Sequence, residues 1–367
     1  MTAPIANAST HTSCGNDSQA NTFQLGCKPD PAFGNQKVDC DFTKGFCKEF
    51  KALEGTDIKT NGQGAVFTIE KATNAPTIQT NKYIMFGRVD VTVQAAEGAG
   101  IVTSAVLQSD DLDEIDLEWV GGDNKQVQSN YFSKGDTTTY DRGAFHAVGA
   151  PLTSTHTYSI EWTKDKVDWL IDDKVVRTLL AANAHGANGF PQTPMQIKLG
   201  TWVAGLPDKS KWTVEWAGGL TDFSKAPFNA YYKSVKITDY AGGDSAATKP
   251  VKEYTYTDKS GNWQSIKAVG GSNGSDDDNS SSSSKEPTKT TSAKESSTKS
   301  PSTTDDATTL TTATPSATGG DSTATGSEST SATGTPTTVP GSNGAGRNGL
   351  AIGGLLLAAG AMVAQLL

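Results

Sequence analysis

Between residues 60 and 240 apolar and polar positions mostly alternate, which is the period of a strand with one face buried. Val89, Val91 and Val93 interleave with Arg88, Asp90 and Thr92, and further β-like runs occupy 101–107, 127–132, 157–162, 166–171, 195–202 and 231–237. Gly, Asn, Asp and Pro separate the runs, as short strands joined by turns require. Ile171-Asp172-Asp173-Lys174-Val175 reads as a hairpin turn between two of them. No window of helical length carries a 3.6-residue stripe, and 175–183 is expected to form a short helix or turn. Many short strands with almost no helix predict an all-β sandwich or barrel, of which the sandwich is preferred because it offers an open face.

One strand is unlike the others. In Asp113-Glu-Ile-Asp-Leu-Glu-Trp119 the alternation sends Ile115, Leu117 and Trp119 into the core and places Glu114, Asp116 and Glu118 together on the opposite face. At ~3.3 Å per residue, neighbouring carboxylates start ~6.6 Å apart and the outer two ~13 Å apart. Three like charges in a row destabilise a strand, and Asp and Glu are disfavoured there in any case. A solvated face explains one acid, or two. Calcium does not suit a straight strand, which cannot wrap a cation as a loop does. Two carboxyl groups acting across one bond are what glycosidic cleavage needs: one attacks the anomeric carbon and the other protonates the leaving oxygen, at ~5–5.5 Å separation in a retaining enzyme. The long Glu side chains must therefore converge over the shorter Asp116, which shares a proton with them, and the three titrate as one system.

Charge and composition narrow the partners. Residues 1–240 hold 22 Lys and Arg against 28 Asp and Glu, and six of those acids are Asp110, Asp111, Asp113, Glu114, Asp116 and Glu118. Such a surface repels nucleic acid and presents no barrier to a neutral polymer. All aromatics lie at or before Trp263, and 33 of the 60 residues in 281–340 are Ser or Thr. That tract cannot bury enough apolar surface to order itself, so the fold is expected to end near 240–265 and the tract to act as a disordered, O-glycosylated stalk.

Cys14, Cys27, Cys40 and Cys47 permit three pairings, of which the sequential one, Cys14–Cys27 with Cys40–Cys47, is the simplest. Their spacings lack a Cys-x-x-Cys, so disulfides formed in an oxidising compartment are expected rather than a metal site. Asn7, Asn16, Asn273 and Asn279 are N-glycosylation sequons. The segment 350–367 is mostly apolar and follows the small residues Ser342, Asn343, Gly344 and Ala345. That order is the signal for a glycosylphosphatidylinositol anchor, expected at Asn343, with 346–367 removed. An anchored protein needs a secretory leader, and 1–9 lacks its apolar stretch, so the leader is inferred to have been replaced or omitted. Contact with a membrane is expected only through that lipid.

Glu114-Ile-Asp-Leu-Glu118 resembles the Glu-Ile-Asp-x-Glu signature of glycoside hydrolase family 16, and Asp113-Glu-Ile-Asp-Leu-Glu-Trp-Val-Gly-Gly122 resembles the fungal Crh transglycosylases, which link chitin to β-glucan in the cell wall. Supporting segments are Val127-Gln-Ser-Asn-Tyr-Phe132, His156-Thr-Tyr-Ser-Ile-Glu-Trp162, Gly200-Thr-Trp-Val-Ala-Gly205 and Glu215-Trp-Ala-Gly-Gly219. The resemblance implies a β-jelly roll with a concave groove over 20–245, preceded by a segment 1–19 and followed by the stalk at 246–345. It also implies Glu114 as nucleophile, Glu118 as acid/base, Asp116 as their assistant, no cofactor or metal, and a monomer acting on chitin and β-glucan chains.

Sugar grooves use aromatic faces for rings and amides for hydroxyls. Trp202 and Trp216, beside glycines, are expected as exposed sugar platforms, while Trp119, Trp162 and Trp169 are expected in the core. Gln128, Asn130 and Phe132 share one face of the run after the acidic strand, and Asn130 is expected at the donor sugar. Tyr140, Arg142 and His146 are weaker candidates. Rival readings are a β-1,3-glucan hydrolase with the same trio and a lectin-like wall protein without turnover.

Overall fold

The computed structural model describes residues 28–139, 141–185 and 189–270. The expectations for Asn7, Asn16, Cys14, Cys27, Tyr140, Asn273, Asn279, Asn343 and the Ser/Thr tract lie outside these residues. In chain order the strands are β1 (Asp30–Pro31), β2 (Val38–Asp41), β3 (Phe50–Ala52), β4 (Lys59–Asn61), β5 (Gly64–Ile69) and β6 (Thr77–Thr80). Then follow β7 (Gly87–Gln94), β8 (Ile101–Ser109), β9 (Glu114–Val120), β10 (Gln126–Phe132), β11 (Ala144–Ala147) and β12 (His156–Trp162). The last are β13 (Lys166–Ile171), β14 (Lys174–Leu180), β15 (Met195–Val203), β16 (Phe228–Asp239), β17 (Val251–Tyr256) and β18 (Ile266–Gly270). Among the described residues the one α-helix is α1 (Lys211–Trp216).

Two antiparallel sheets make the sandwich that the alternation predicts. A seven-stranded sheet runs β11-β10-β9-β8-β15-β6-β3, and a larger one runs β14-β13-β12-β7-β16-β5-β4 with β2 also joined to β16. The core lies between them. From the first sheet it takes Ile115, Leu117 and Trp119, and from the second Val89, Val91, Val93, Tyr158 and Trp162. Trp119 meets Tyr158 across the layers edge to face, with ring centroids 4.6 Å apart, the geometry that aromatic quadrupoles favour. Trp162 and Trp169 are also fully buried, as their alternation with polar neighbours requires. Asp172 and Asp173 both have left-handed φ, 47° and 62°, so the β13–β14 hairpin turn is of the primed type that matches strand twist.

Two local readings of the sequence differ from the structure. Residues 174–180 are the edge strand β14 rather than a helix, followed by a single 3-10 turn at Ala181–Asn183. An edge strand has one paired side, and opposite Trp169 and Leu170 the register of β14 skips Val176, which breaks the alternation and leaves Val175 and Val176 exposed. No clean alternation survives that. The ordered strands also pass the expected boundary at 245: β17 pairs with β1 and β18 in a third, small sheet. Tyr254 is fully buried and donates its hydroxyl hydrogen bond to Asp239. Asp239 in turn accepts from the backbone N–H groups of Gly34, Met85 and Ala241 at 2.7, 3.0 and 2.8 Å. Sparse apolar composition hid this sheet, although Tyr254 and Tyr256 stand two apart as a half-buried strand would have them.

Cys40 and Cys47 form a disulfide, closing a short loop beside Phe42 and Phe50, whose rings meet at 5.8 Å.

A buried aromatic truncated to alanine costs about 3–5 kcal/mol, whereas a surface change costs less than about 0.5 kcal/mol. Tyr254→Ala is therefore expected to lower stability by the larger amount in urea unfolding. A loss within the smaller range shows that the third sheet is not part of the fold.

Candidate active site

β9 carries the site because its pleat gives one face to the core and the other to the outside of the seven-stranded sheet. Its neighbours fix what surrounds each acid. Glu114 lies between Gln108 of β8 and Phe132 of β10, Asp116 between Val106 and Asn130, and Glu118 between Ser104 and Gln128. One strand further, on β15, Gln196, Lys198 and Gly200 fall opposite Gln108, Val106 and Ser104. Same-face residues of paired strands are in contact range, so the acids sit in a floor of amides, hydroxyls and one ammonium group.

This outer face is recessed. Gln108, Glu114, Asp116 and Glu118 are only 6, 3, 1 and 2 % exposed. The entry to β9 is fixed by Asp113, itself fully buried. Its Oδ1 accepts from Ser133 Oγ and Lys134 N, and its Oδ2 from Lys134 Nζ, Gln192 N, Thr193 N and Thr193 Oγ1, at 2.6–3.1 Å. From the core side, Trp169 Nε1 donates to the Asp116 carbonyl at 3.1 Å. The Arg177 guanidinium lies 4.5 Å over the same indole ring and donates to Ser129.

The electrostatics follow from burial. Desolvation and the neighbouring Asp116 charge raise the pKa of Glu114 well above the usual carboxylate range. Desolvation, then the Asp116 and Glu114 charges, do the same to Glu118, against a small opposing pull from the Trp202 indole. Trp202 Nε1 nonetheless forms no well-aligned hydrogen bond. Asp116 is raised by desolvation, with Arg177 pulling the other way and Glu114 acting as a hydrogen-bond partner that lowers it. Glu114 Oε1, Glu118 Oε1 and both Asp116 oxygens are buried without a donor. Burial favours the neutral form of each acid, so the trio retains protons that isolated carboxyls lose. Contact with Asp116 raises Glu114 and lowers Asp116, so the two carboxyls hold a proton between them and titrate as a pair.

The other expected residues divide. Gln128, Asn130 and Phe132 are on the site face, each opposite one acid. Gln128 Oε1 accepts from Trp216 Nε1 at 2.8 Å, and the Arg142 guanidinium covers the Phe132 ring at 5.4 Å. Trp202 and Trp216 are not exposed platforms: they are buried and stacked on each other, centroids 6.2 Å apart, in a small cluster with Val102 and Val120. Glycine neighbours made them look open; here those glycines admit close backbone approach, as where Gly205 meets Gly100 and Gly219.

His146 is also corrected. It pairs opposite Val127, a core residue, so its ring points between the sheets, where it bonds Ser129 Oγ at 2.7 Å and burial pushes its pKa down to about 4. Its neighbour Phe145, opposite Gln128, takes the site face and is 44 % exposed. Sequence reasoning missed Phe145, Gln108, Gln196 and Lys198. For the last three the signal was available, as polar residues inside the otherwise apolar strands β8 and β15; Phe145 carried none.

A sandwich whose recessed outer face holds two glutamates around an aspartate on one strand is the architecture of a carbohydrate-cleaving enzyme of family 16. Residues 46–218 match the profile of "Glycosyl hydrolases family 16". Crh-like protein 5 of Aspergillus fumigatus is 46 % identical over 267 residues, 73 % of this chain and 64 % of its own. Congo red hypersensitive protein 1 of Saccharomyces cerevisiae is 47 % identical over 248 residues, 67 % of this chain and 46 % of its own. A solved structure described as Crh5 transglycosylase in complex with NAG is 48 % identical with a TM-score of 0.61, covering 66 % of this chain and 96 % of that one. The chain belongs to glycoside hydrolase family 16, and within it to the Crh type. It spans about half to two thirds of the length of the two sequence relatives.

A carboxyl with a raised folded-state pKa costs the fold about 1.4 kcal/mol per unit once pH exceeds the unfolded value. Below that value an unfolded glutamate is neutral too, and nothing is lost. Glu118→Gln should therefore melt with the unaltered protein at pH 4 and increasingly above it as pH rises, by at least about 2–4 °C at pH 8. A melting difference independent of pH between 4 and 8 would show that Glu118 titrates normally.

Proposed function

We propose that the chain is a retaining transglycosylase that cleaves a β-linked wall polysaccharide, with chitin as donor, and passes the cut end to another chitin or β-glucan chain. The observation that carries this reading is the buried, proton-holding trio on β9. The 48 % identity to a transglycosylase solved with a bound sugar supports the donor assignment.

In the first step Asp116 keeps the proton shared by the pair, and the ionised Glu114 carboxylate attacks the anomeric carbon. The bond to the leaving oxygen breaks as Glu118 gives that oxygen its proton. The donor sugar is then an ester on Glu114. In the second step an acceptor hydroxyl loses its proton to Glu118 while its oxygen displaces Glu114, and the trio returns to its starting protonation. Because Glu118 must be protonated first and ionised next, its raised pKa suits both roles. Gln128, Asn130 and the exposed face of Phe145 are available to position sugar rings. Cell-surface placement by a lipid anchor at Asn343, with the Ser/Thr tract as an O-glycosylated stalk, belongs to the same reading and rests on the composition of those segments.

Mass spectrometry of products from a chitin oligosaccharide, alone and with a β-1,3-glucan oligosaccharide, tests it. Longer and hybrid products are expected from the unaltered chain, and a loss of at least about 10³-fold in turnover from Glu114→Gln. Shortened products alone would establish a hydrolase. Turnover that survives Glu114→Gln would refute the mechanism, and binding with no turnover in either protein would indicate a lectin-like role.

A further inference from the structure

Gln108 stands between a carboxylate and an ammonium group that make opposite demands on its amide. Its Nε2 donates to Glu114 Oε2 at 2.7 Å, and its Oε1 accepts from Lys198 Nζ at 2.7 Å. A carboxamide has one donating and one accepting end, and the two look alike in shape. Lysine has no acceptor. The accepting end must therefore face Lys198, and the donating end is left for Glu114.

The three residues come from three adjacent strands, β9, β8 and β15, on one sheet face. Their order follows from strand register and survives small side-chain motions. Gln108 is buried, so water does not compete for either end. Removing Lys198 would free the amide to turn over and present Oε1 to Glu114 Oε2. Two acceptors would then meet, which only a protonated Glu114 tolerates.

We propose that Lys198, acting through Gln108, is a positioning residue for the nucleophile: it fixes the polarity of the Gln108 amide, holds Glu114 Oε2 by a directed hydrogen bond, and leaves Oε1 for the anomeric carbon. This rests on the reading of Glu114 as nucleophile. The charges agree with the geometry, since Lys198 and Gln108 are the groups that lower the pKa of Glu114 against burial. Lys198 in turn is pushed down to about 8 by burial, with Glu114 and Asp110 opposing and Lys51 assisting. Beyond these, Glu114 is faced by Asp116 and Glu118 on its own strand and by uncharged Phe132 from β10, while Arg177 from β14 acts on Asp116.

The test separates the relay from the function assigned to Glu114. The chain is labelled with ¹³C at the glutamate carboxyls, and the Glu114 signal is identified by its loss in Glu114→Gln. Its titration midpoint is then followed in Lys198→Met, Gln108→Met and Lys198→Arg, beside kcat and KM against pH with a chitin oligosaccharide. The midpoint is expected to rise by about one unit or more in the two methionine variants, a tenfold smaller ionised fraction per unit below the midpoint, and to return in Lys198→Arg. On the acid side kcat should fall about tenfold with little change in KM, and the deficit should shrink as pH rises. An unmoved midpoint in the methionine variants, whichever of them folds, overturns the proposal even if activity drops. A midpoint that moves while the kcat profile stays still supports the relay and refutes Glu114 as the nucleophile.

Discussion

A β-strand has only two faces, and β9 is buried on both. On one side Ile115, Leu117 and Trp119 seal the sandwich; on the other Glu114, Asp116 and Glu118 are packed just as deeply. Every other feature of the site answers that constraint. The strand cannot shift by one residue, because a slip would exchange the tryptophan for the carboxylates in the core. Asp113 anchors its start with hydrogen bonds from two loops, and Trp169 holds its middle through the Asp116 carbonyl. The arrangement of the three acids is thus inherited from core packing.

The cost of this arrangement is electrostatic. Charges withdrawn from water are unfavourable by several kcal/mol each unless paired, and the trio has no full ion pair. Its relief comes from retained protons, from Arg177 below Asp116 and from Lys198 beyond Gln108. The two cations approach from opposite sides, one through the core and one along the floor. The acids are therefore poised between protonation states, which suits a group that must donate a proton and then accept one. Stability is lost where chemistry is gained, as strained active sites commonly show.

The floor differs on the two sides of β9. Toward β15 and β6 it is built of amides and an ammonium group, with Gln79 Nε2 bonded to Gln196 Oε1 at 2.5 Å and Lys198 to Gln108. Toward β10 and β11 it is aromatic and amide, with Phe132, Phe145 and Gln128, the last tied to Trp216. The hydrogen-bonded half holds Glu114. The half with an exposed ring offers the stacking surface that sugar rings use.

The alternation of residues determined the all-β class, the core faces of Trp119, Trp162 and Trp169, the hairpin turn at Asp172 and Asp173, and the gathering of three acids on one face. These are consequences of a two-residue period and need no partner strand. The register between strands was left to the tertiary structure, and with it everything that depends on distance across the sheet. Gln108 and Lys198 are 90 positions apart in the chain and meet only because β8 pairs with β15. His146 and Phe145 are adjacent, and only the pairing of β11 decides which one shares the face of the acids. Trp202 and Trp216 looked open beside their glycines, and it took the approach of α1 to the sheet to bury them against each other. A sequence states which side chains share a face; the packing of distant segments decides which of them touch, and how dry that face becomes.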